Sequence, residues 1–599
     1  MATSASVLSS IHARLQSGDV AGAAQAIADV VRADPANAAA WQLAGMIRRR
    51  AKDAAGAVEA FARALGAGLR TAEVYNSLAL SLEDLGQAIE AAAAYEAAFA
   101  CDPAYHPARI NAAKLAHAQG DMAGAEAALR KVLAEQPGAA SVSNALASLF
   151  AGEGEPGKAA AQYRQTLAST PQNLPAVIRL GLALREDGRA EEALVHFREC
   201  ADRFPRAPEF ADAMAGALIE SGHVDEAEAL LERTVAEAPQ YFPAHRALAR
   251  LAYEYRTGKD PDRSYRALVE RWPREASIWH SWIGLMLDRR DYEGVLAAVA
   301  EARRSLGSRP ELDLYEGIAR GEQGEGAAAE ALFARAAERF GAAATVLVPR
   351  ARNALRRGEP AQAEALAAEA IRLDRADCFA WAYRGLAWRL LEDPREFWLH
   401  DYSAHVEQRA VAYLAEPGRL DELRETLRGL HRAQHHPSEQ SLRGGTQTEG
   451  NLFNRSDPVL RRLREAIREQ VAAYLTRFDV DADHPCAGYS GARFVFEGSW
   501  SVRLTGEGFH IAHVHPSGSI SSALHVTVPP LGPADTPDAG ALVLGEPPSE
   551  LGLDLAPRRV VTPVEGALVL FPSSMWHGTK PFTLQTERMT VAFDAAVRR

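Results

Sequence analysis

Two histidines near the carboxyl end of the chain have a spacing that suits metal binding. His513 and His515 lie two residues apart in the segment GFHIAHVHPSG. If residues 510–515 form a β-strand, these two imidazoles point to one face of the strand. His510 differs from them in parity and then points to the other face. Two imidazoles on one face of a strand can reach a single metal ion.

A third histidine follows downstream in GALVLFPSSMWHGTKPF. An apolar strand is expected to end at Pro572, which places His577 in the loop after it. Three ligands on one face of an octahedral ion leave three positions open for other molecules. His577 could therefore join His513 and His515 at one metal ion, which imidazoles bind only when they are neutral.

An arginine follows the third histidine on the last apolar run of the chain. Arg588 lies eleven residues after His577, in the apolar run ERMTVAFD, and Thr590 shares its face of the expected strand. The planar guanidinium group binds a carboxylate through two parallel hydrogen bonds. We therefore expect a carboxylate to bind beside the metal.

The segments around these residues have the composition of short β-strands. From residue 492 onward, Gly and Pro separate Val-rich runs, which are ARFVFEGSWSVRL, SSALHVTV, GALVLG, RRVVTPV, GALVLF and RMTVAFDAAV. Six or more short strands after a helical region indicate a double sheet of the jelly-roll or cupin type. We expect this core to occupy residues 491–599.

Helices are expected just before this core, over residues 396–490. The segment GRLDELRETLRGLH (418–431) predicts one helix, and the polar, Gly-rich stretch 435–453 predicts a loop. Asp457 is expected to cap a further helix whose first residue is Pro458. Its apolar stripe has helical spacing and comprises Leu460, Leu463, Ile467, Val471 and Tyr474.

The first two-thirds of the chain repeats every 34 residues. Proline recurs in phase at Pro35, Pro103, Pro137, Pro171, Pro205, Pro239 and Pro273. Glycine keeps the same period at Gly18, Gly86, Gly120, Gly154, Gly188, Gly222, Gly324 and Gly358. Each unit is expected to contain two amphipathic helices, with the glycine ending the first helix and the proline following the second.

A 34-residue period resembles that of the tetratricopeptide repeat. The match is clear over residues 4–275 and degenerate over 276–395, with about eleven units in all. Such arrays form a concave groove, which implies binding of a protein or peptide partner. A purely architectural array is the alternative. The expected organisation is an all-α solenoid over 1–395, followed over 396–599 by an α+β double-stranded β-helix (jelly-roll or cupin-like) domain.

Composition excludes several other classes of function. The chain of 599 residues has 66 Lys and Arg against 78 Asp and Glu, a net charge of −12. This charge argues against non-specific binding to nucleic acid or to an anionic membrane. The four cysteines are far apart, so neither a disulfide framework nor a cysteine zinc site is expected. We see no secretory signal and no membrane span, and we expect a cytoplasmic protein.

The carboxyl-terminal third resembles the 2-oxoglutarate- and Fe(II)-dependent oxygenases, in particular bacterial members that carry tetratricopeptide repeats. The resemblance covers about residues 431–595, in the motifs HPSEQSLRGGTQT, SWSVRL, HVHP, SSAL, GEPP, FPSSMWHGT and R-x-T. It implies Fe(II), 2-oxoglutarate and O₂ as cofactor and co-substrates. It also implies oxidative decarboxylation to succinate and CO₂, coupled to hydrogen abstraction from a substrate.

The resemblance assigns roles residue by residue. His513 and His577 match the two iron histidines, Arg588 matches the arginine that holds the distal carboxylate of 2-oxoglutarate, and Thr590 matches its hydroxyl helper. His515 departs from the usual pattern, because most members have Asp or Glu there. Three-histidine ligation is our prediction. An acidic residue elsewhere could instead join the metal, and the candidates are Glu507, Asp538 and Glu546.

Other residues near the motifs have less specific expectations. His510 and His525 are expected in the core or behind the metal ligands, and Trp500 and Trp576 in the core or the pocket wall. A polar loop could line the substrate mouth or simply cap the domain, and its residues are Gln440, Arg443, Gly444 and Thr446.

Three functions remain open from the sequence. The leading prediction is an oxygenase, a hydroxylase of a protein or peptide that the repeat array recruits. The second is a repeat-based interaction scaffold with an inactive cupin-like domain. The third is a cupin-type metalloenzyme that does not use 2-oxoglutarate, and Arg588 distinguishes it from the first.

Overall fold

The computed structural model describes most of the chain as two compact units. The described residues are 4–598 with gaps at 257, 342, 433–441, 534 and 584–585. One unit comprises Met1–Glu153 and Lys158–Ala176, and the other Gly154–Gly157 and Val177–Arg599. The strands and the second half of the helical array therefore belong to one unit. The predicted boundary at residue 395 stays a prediction about where the repeats end.

Helical hairpins at the predicted period form the first part of the chain. The first eleven helices are α1 (Ser4–Gln16), α2 (Val20–Ala33), α3 (Ala38–Arg50), α4 (Ala54–Gly66), α5 (Ala72–Asp84), α6 (Ala88–Cys101), α7 (His106–Ala118), α8 (Met122–Glu135), α9 (Ala140–Gly152), α10 (Pro156–Ser169) and α11 (Leu174–Glu186). The next eleven are α12 (Ala190–Cys200), α13 (Pro208–Glu220), α14 (Val224–Glu237), α15 (Phe242–Tyr255), α16 (Arg263–Arg271), α17 (Ala276–Asp288), α18 (Tyr292–Leu306), α19 (Pro310–Glu322), α20 (Gly326–Phe340), α21 (Ala344–Arg356) and α22 (Pro360–Leu373). Along the described chain these helices make eleven consecutive pairs, which agrees with the predicted number of units.

The in-phase glycines end the first helix of each pair, as predicted. Gly18, for example, follows α1 in the left-handed region with φ 87°. Three residues other than glycine also have positive φ in the described chain, namely Lys52 (63°), Arg290 (61°) and Glu392 (54°). All three lie at multiples of 34 residues from Gly18. The repeat geometry therefore imposes a left-handed residue even where the sequence has no glycine.

Helices also precede and support the strands. They are α23 (Cys378–Leu390), α24 (Arg395–Leu399), α25 (Arg419–Arg428) and α26 (Pro458–Leu475), and the short 3₁₀ segments are Ala201–Arg203, Ala412–Ala415, Leu452–Asn454 and Ser549–Leu551. The Asp457 side chain accepts hydrogen bonds from the N–H groups of Val459 and Leu460, so the predicted cap of α26 is confirmed. The predicted apolar stripe of α26 packs on one face of the main sheet, against residues such as Leu524 and Phe593.

Nine strands form two antiparallel sheets in the described residues. They are β1 (Glu407–Ala410), β2 (Leu442–Gln447), β3 (Arg493–His510), β4 (Ile520–Thr527), β5 (Leu542–Leu544), β6 (Arg559–Val561), β7 (Ala567–Pro572), β8 (His577–Thr579) and β9 (Glu587–Arg598). One sheet has the order β1-β7-β4-β9-β3-β2, and the other β6-β5-β8. All six predicted strands are present.

Three local predictions are wrong. Part of the predicted loop 435–453 is strand β2, which pairs with β3 as an edge strand and bulges between Arg443 and Gly445. His577 begins β8 instead of lying in a loop. Residues 510–515 are not a strand, since β3 ends at His510. Each error concerns a short or Gly-rich edge segment, which backbone pairing defines more than hydrophobic pattern does.

The structure also describes the cysteines and the lengths of the helices. All four cysteines are free thiols. Within the described ranges, every helix is too short or too polar to span a bilayer.

Candidate metal centre and its cavity

The structure brings His513, His515 and His577 together. Their candidate ligand nitrogens all lie within 4.8 Å of one another. The ring centroids of His513 and His577 are 4.3 Å apart, and those of the other two pairs 4.8 and 5.0 Å. Ligand nitrogens this close to one another can reach one metal ion through metal–nitrogen bonds of about 2.1 Å each. The geometry suits a shared metal ion, and its binding stays a prediction.

Backbone hydrogen bonds hold two of these histidines opposite each other. The His513 N–H donates to the His577 carbonyl oxygen (2.9 Å), and the His577 N–H donates to the His513 carbonyl oxygen (3.1 Å). This isolated antiparallel bridge, and not a strand at 510–515, fixes the position of His513 relative to His577. At the next position, a Cβ on Gly578 would lie 3.0 Å from the His510 carbonyl oxygen and 3.2 Å from the Ala512 nitrogen. A residue without a side chain is therefore needed for the two segments to approach this closely.

Backbone carbonyls orient two of the imidazoles. The Nδ1–H of His513 donates to the Ile511 carbonyl oxygen (2.7 Å), and the Nδ1–H of His577 donates to the Met575 carbonyl oxygen (2.9 Å). Because a carbonyl only accepts, the proton must be on Nδ1. The Nε2 lone pair is then available to a metal, as in most metal-bound histidines.

A carboxylate orients the third imidazole. The Nδ1–H of His515 donates to both carboxylate oxygens of Asp594, at 2.6 and 2.7 Å. The Ser521 hydroxyl also donates to Asp594, at 2.7 Å. This carboxylate–imidazole arrangement is common behind metal ions and raises the basicity of the ligand. Sequence reasoning missed Asp594, although it lies on the last predicted strand in the motif TVAFDAAV.

Burial keeps the two carbonyl-bonded histidines neutral. It lowers the pKa of His513 and of His577 well below the usual value, and the neighbouring imidazoles act in the same direction. A neutral imidazole is the form that binds a metal ion. Near neutral pH the centre therefore requires no proton release from these two residues.

Arg588 and Thr590 face the same cavity as the histidines. The Arg588 side chain is almost fully buried, and its Nε makes no hydrogen bond within the described part of the chain. Burial lowers the pKa of Arg588 to about 10, so the group still carries its charge near neutral pH. A buried cation without a partner is costly, which makes this position suited to a bound anion.

The cavity has a volume of about 770 Å³ and is lined by two different parts of the chain. Beside the metal centre, its wall includes His510, Trp500, Trp576, Phe571 and Asp594. The rest of the wall comes mainly from helices α17, α19, α21 and α23 of the array, through residues such as Glu322, Arg352, Arg356, Phe379 and Tyr383.

Helix α23 also packs directly on the segments that carry the histidines. Val514 and Trp576 belong to the same buried cluster as the apolar side chains of α21 to α23. The Trp576 indole N–H donates to the Ala382 carbonyl oxygen at 3.2 Å, and its ring lies 5.6 Å from that of Tyr383. The array therefore supports both loops of the metal centre.

One of the predicted neighbours of the metal centre occupies a different place from the one expected. His510 lies beside His513, at 5.9 Å between ring centroids, so its expected position on the opposite face is wrong. His525 is fully buried next to Arg588, outside the cavity lining. Trp500 and Trp576 line the cavity, as predicted.

Of the acidic alternatives for the third ligand, Asp538 and Glu546 do not join the histidine cluster in the described structure. Asp538 forms an ion pair with Lys580 instead. The side chains of Glu507 and Arg443, and all of Gln440, lie outside the described residues. Of the described polar-loop residues, Thr446 accepts or donates a hydrogen bond with His431 at 2.9 Å and Gly444 packs against Gly508, and neither lines the cavity.

The residues present fit both Fe(II) and 2-oxoglutarate. One ligand nitrogen from each of the three histidines lies within 4.8 Å of the other two, and a buried guanidinium with an unpaired Nε lines the same cavity. His513, His515 and His577 would hold the metal, and Arg588 with Thr590 would hold the distal carboxylate.

Comparison with known families agrees with both halves of this architecture. A family model described as "Putative 2OG-Fe(II) oxygenase" matches residues 498–594. Models of the tetratricopeptide repeat match residues 82–149 and 184–251, and residues 9–68 and 144–208. The chain therefore carries tetratricopeptide repeats and, at its carboxyl end, a domain similar to this oxygenase family.

Several solved structures are similar to parts of this chain. Yeast Tom70 is 11% identical, with 70% of this chain and 98% of that chain covered and a TM-score of 0.33. PilW, a type IV pilus biogenesis factor, is 24% identical, with 35% and 98% covered and a TM-score of 0.29. The Naa15/Naa10 structure bound to HypK-THB is 16% identical, with 65% and 67% covered and a TM-score of 0.27. No curated protein matches significantly.

Proposed function

We propose that this protein is a 2-oxoglutarate- and Fe(II)-dependent oxygenase that hydroxylates a peptide segment. The observation that carries the proposal is the convergence of three oriented imidazoles beside the buried, unpaired guanidinium of Arg588 in one cavity. The match of residues 498–594 to the oxygenase family supports the same reaction class. When bound, Fe(II) and the keto acid supply oxidative decarboxylation coupled to oxygenation of a C–H bond.

The residues of this chain provide binding, orientation and exclusion of water. The acceptors behind His513, His577 and His515 hold the three rings so that their Nε2 atoms face one point. Arg588 fixes the far end of the keto acid through charge-assisted hydrogen bonds, and the Thr590 hydroxyl lies on the same strand face. The aromatic wall formed by Trp500, Phe571 and Trp576 keeps this end of the cavity poorly hydrated.

The antiparallel sheets support the same interpretation. We interpret the six-stranded and the three-stranded sheet as the two sheets of a jelly roll, with the metal centre where β8 of one meets the residues that follow β3 of the other. The array forms part of the cavity wall, so we propose that it presents the substrate directly at the reacting end. This placement favours an enzyme over a scaffold with an inactive domain.

The proposal is tested by binding and turnover in the full-length protein. Under anaerobic conditions, Fe(II) and then 2-oxoglutarate are titrated by calorimetry, and O₂ is added to measure succinate formation. We expect tight metal binding, keto-acid binding that depends on the metal, and slow succinate formation without substrate. Metal binding without keto-acid binding would indicate a cupin-type metalloenzyme of another kind. Absence of both would indicate a scaffold.

A further inference from the structure

Two arginines and one glutamate form a charged cluster on the array side of the cavity. Arg352 donates to both carboxylate oxygens of Glu322, at 2.6 and 3.0 Å. Arg356 also donates to Glu322, and to the carbonyl oxygen of Gly321. Burial opposes ionisation of Glu322, but the hydrogen bonds and charges of the two arginines outweigh it and lower its pKa. The cluster therefore has two cations, one anion and an excess positive charge.

The excess charge belongs to Arg356. Each of the three guanidinium nitrogens of Arg352 already makes a hydrogen bond, the third of them to the Tyr383 hydroxyl at 3.3 Å. The Arg356 side chain is only 8% exposed, and its Nε makes no hydrogen bond within the described residues. A buried guanidinium with an unused donor is costly unless an anion binds to it.

The same helix carries an unused hydrogen-bond acceptor that also belongs to the cavity wall. Asn353 precedes Arg356 by three residues on helix α21, is almost fully buried and also lines the cavity. Its Nδ2 donates to the Gly326 carbonyl oxygen at 3.0 Å, which fixes the orientation of the amide. Its Oδ1 has no hydrogen-bond donor in the described part of the chain. A ligand that carries both an anionic group and an N–H would satisfy both unpaired atoms.

We propose that Arg356 and Asn353 form a substrate subsite that selects a peptide with an acidic side chain. Arg356 binds the Asp or Glu carboxylate, and Asn353 accepts a backbone N–H of the same peptide. The cavity of about 770 Å³ has room for such a side chain in addition to the keto acid. Tyr292, Phe333 and Phe379 provide apolar contact along the wall between the two ends. This inference rests on the proposed function and specifies its substrate class.

The test measures peptide binding and needs no turnover. Two pooled heptapeptide libraries have uncharged residues at six positions and either Asp or Asn at the centre, with blocked termini. Full-length protein with Fe(II) and 2-oxoglutarate is kept anaerobic, so that the keto acid occupies Arg588, and retained peptides are quantified by mass spectrometry. We expect the Asp library to be retained about tenfold more than the Asn library, the scale of one charge-assisted hydrogen bond.

Variants on one helix provide the controls. Arg356→Gln should remove the preference for Asp, and Arg356→Lys, which keeps the charge, should retain part of it. Arg350→Gln is the matched control, because Arg350 lies on the same helix α21 but pairs with Glu330 outside the cavity lining. It should keep the full preference.

Three results would overturn the proposal. These are equal retention of both libraries, a preference that persists in folded Arg356→Gln protein, and retention of neither library. Keto-acid binding, measured by calorimetry in the same preparation, reports separately on the proposed function. If it is absent while the Asp preference is present, the oxygenase assignment fails and the acidic-peptide subsite stands.

Discussion

At the metal centre, the acceptors behind the imidazoles differ in charge. Two rings donate to neutral carbonyls and the third donates to the Asp594 carboxylate. Most enzymes of the resembling class place an acidic residue directly on the metal, where His515 stands here. Asp594 supplies a negative charge one imidazole further away, so that part of the charge of the metal can be compensated through His515.

Removal of a single imidazole tests the ligand set. His513→Ala or His577→Ala should abolish Fe(II) binding, because two ligands and no preformed third one cannot compete with water, while the helical circular dichroism signal persists. Full iron occupancy in both variants would contradict the assignment. His515→Ala addresses the ligand that departs from the family pattern, and unchanged binding there would mean that the third ligand lies elsewhere.

The carboxylate behind His515 should tune metal affinity. Asp594→Asn keeps the shape but removes the charge, so Fe(II) affinity should fall by about 10–100-fold, the usual effect of losing such a partner. Anaerobic competition with a chelator measures the change. Asp538→Asn is a suitable control, because Asp538 pairs with Lys580 away from the cluster and should leave the affinity unchanged. Equal affinities of all three proteins would show that Asp594 has no role in metal binding.

For 2-oxoglutarate binding, the planar geometry of the Arg588 guanidinium group should matter more than its charge. Arg588→Lys keeps a cation but loses the bidentate geometry, so 2-oxoglutarate binding should weaken by about 1.5–3 kcal/mol. Anaerobic calorimetry on the iron-loaded protein measures this loss. An unchanged affinity would place the keto acid at another anion site.

At the scale of the elements, the turns between paired helices have a fixed backbone requirement. The in-phase turn residue is left-handed at Lys52, Arg290 and Glu392, as it is at the in-phase glycines. A non-glycine residue there costs about 1–2 kcal/mol. The sequence alone does not reveal these positions, because their residue types give no turn signal.

Replacement at one of these turns should stabilise the array. Lys52 is exposed, so Lys52→Gly removes the strain and should raise the free energy of unfolding by up to about 1 kcal/mol, after the larger chain entropy of glycine is subtracted. Urea unfolding followed by circular dichroism checks this. The reverse change at the same phase, Gly18→Ala, meets no atom within 4 Å and should destabilise through backbone strain alone. A neutral effect of both changes would contradict the argument.

Periodic and chemical signals made much of this architecture predictable from the sequence. The spacing of Pro and Gly predicted the helical pairs, and the Val-rich runs predicted six of the nine described strands. The histidines could be grouped because chemistry restricts which residues bind metals. Strand β1 and Asp594 were missed for the opposite reason. A four-residue polar strand and a single acidic residue have no pattern until tertiary contacts place them.

At the scale of the molecule, the metal centre shares a compact unit with the second half of the array. Contacts within this unit connect helices and strands at several points. The Arg389 side chain donates to the Gly545 carbonyl oxygen at 2.7 Å, and the Tyr255 hydroxyl donates to Glu449 at 3.0 Å. Ligand binding in the cavity should therefore stabilise the late repeats together with the sheets.

Hydrogen exchange can test this coupling. Anaerobic addition of Fe(II) and 2-oxoglutarate should slow amide exchange in β3 to β9 and in helices α17 to α23, because a ligand stabilises the region whose folded form it binds. Helices α1 to α8 belong to the other unit and should exchange as before. If amide exchange slowed only in the sheets, ligand binding in the cavity would not stabilise the array.

The helices that line the cavity also explain where the repeat pattern fades. Residues 276–395 depart from the repeat consensus, and α17, α19, α21 and α23, which supply the array wall of the cavity, all lie in this range. A repeat that only stacks on its neighbours is under selection for packing, whereas one that faces a reaction cavity is also under selection for its substrate. Divergence among relatives of this protein should therefore be concentrated in the late repeats when substrates differ, and the early repeats should drift only within the limits of stacking.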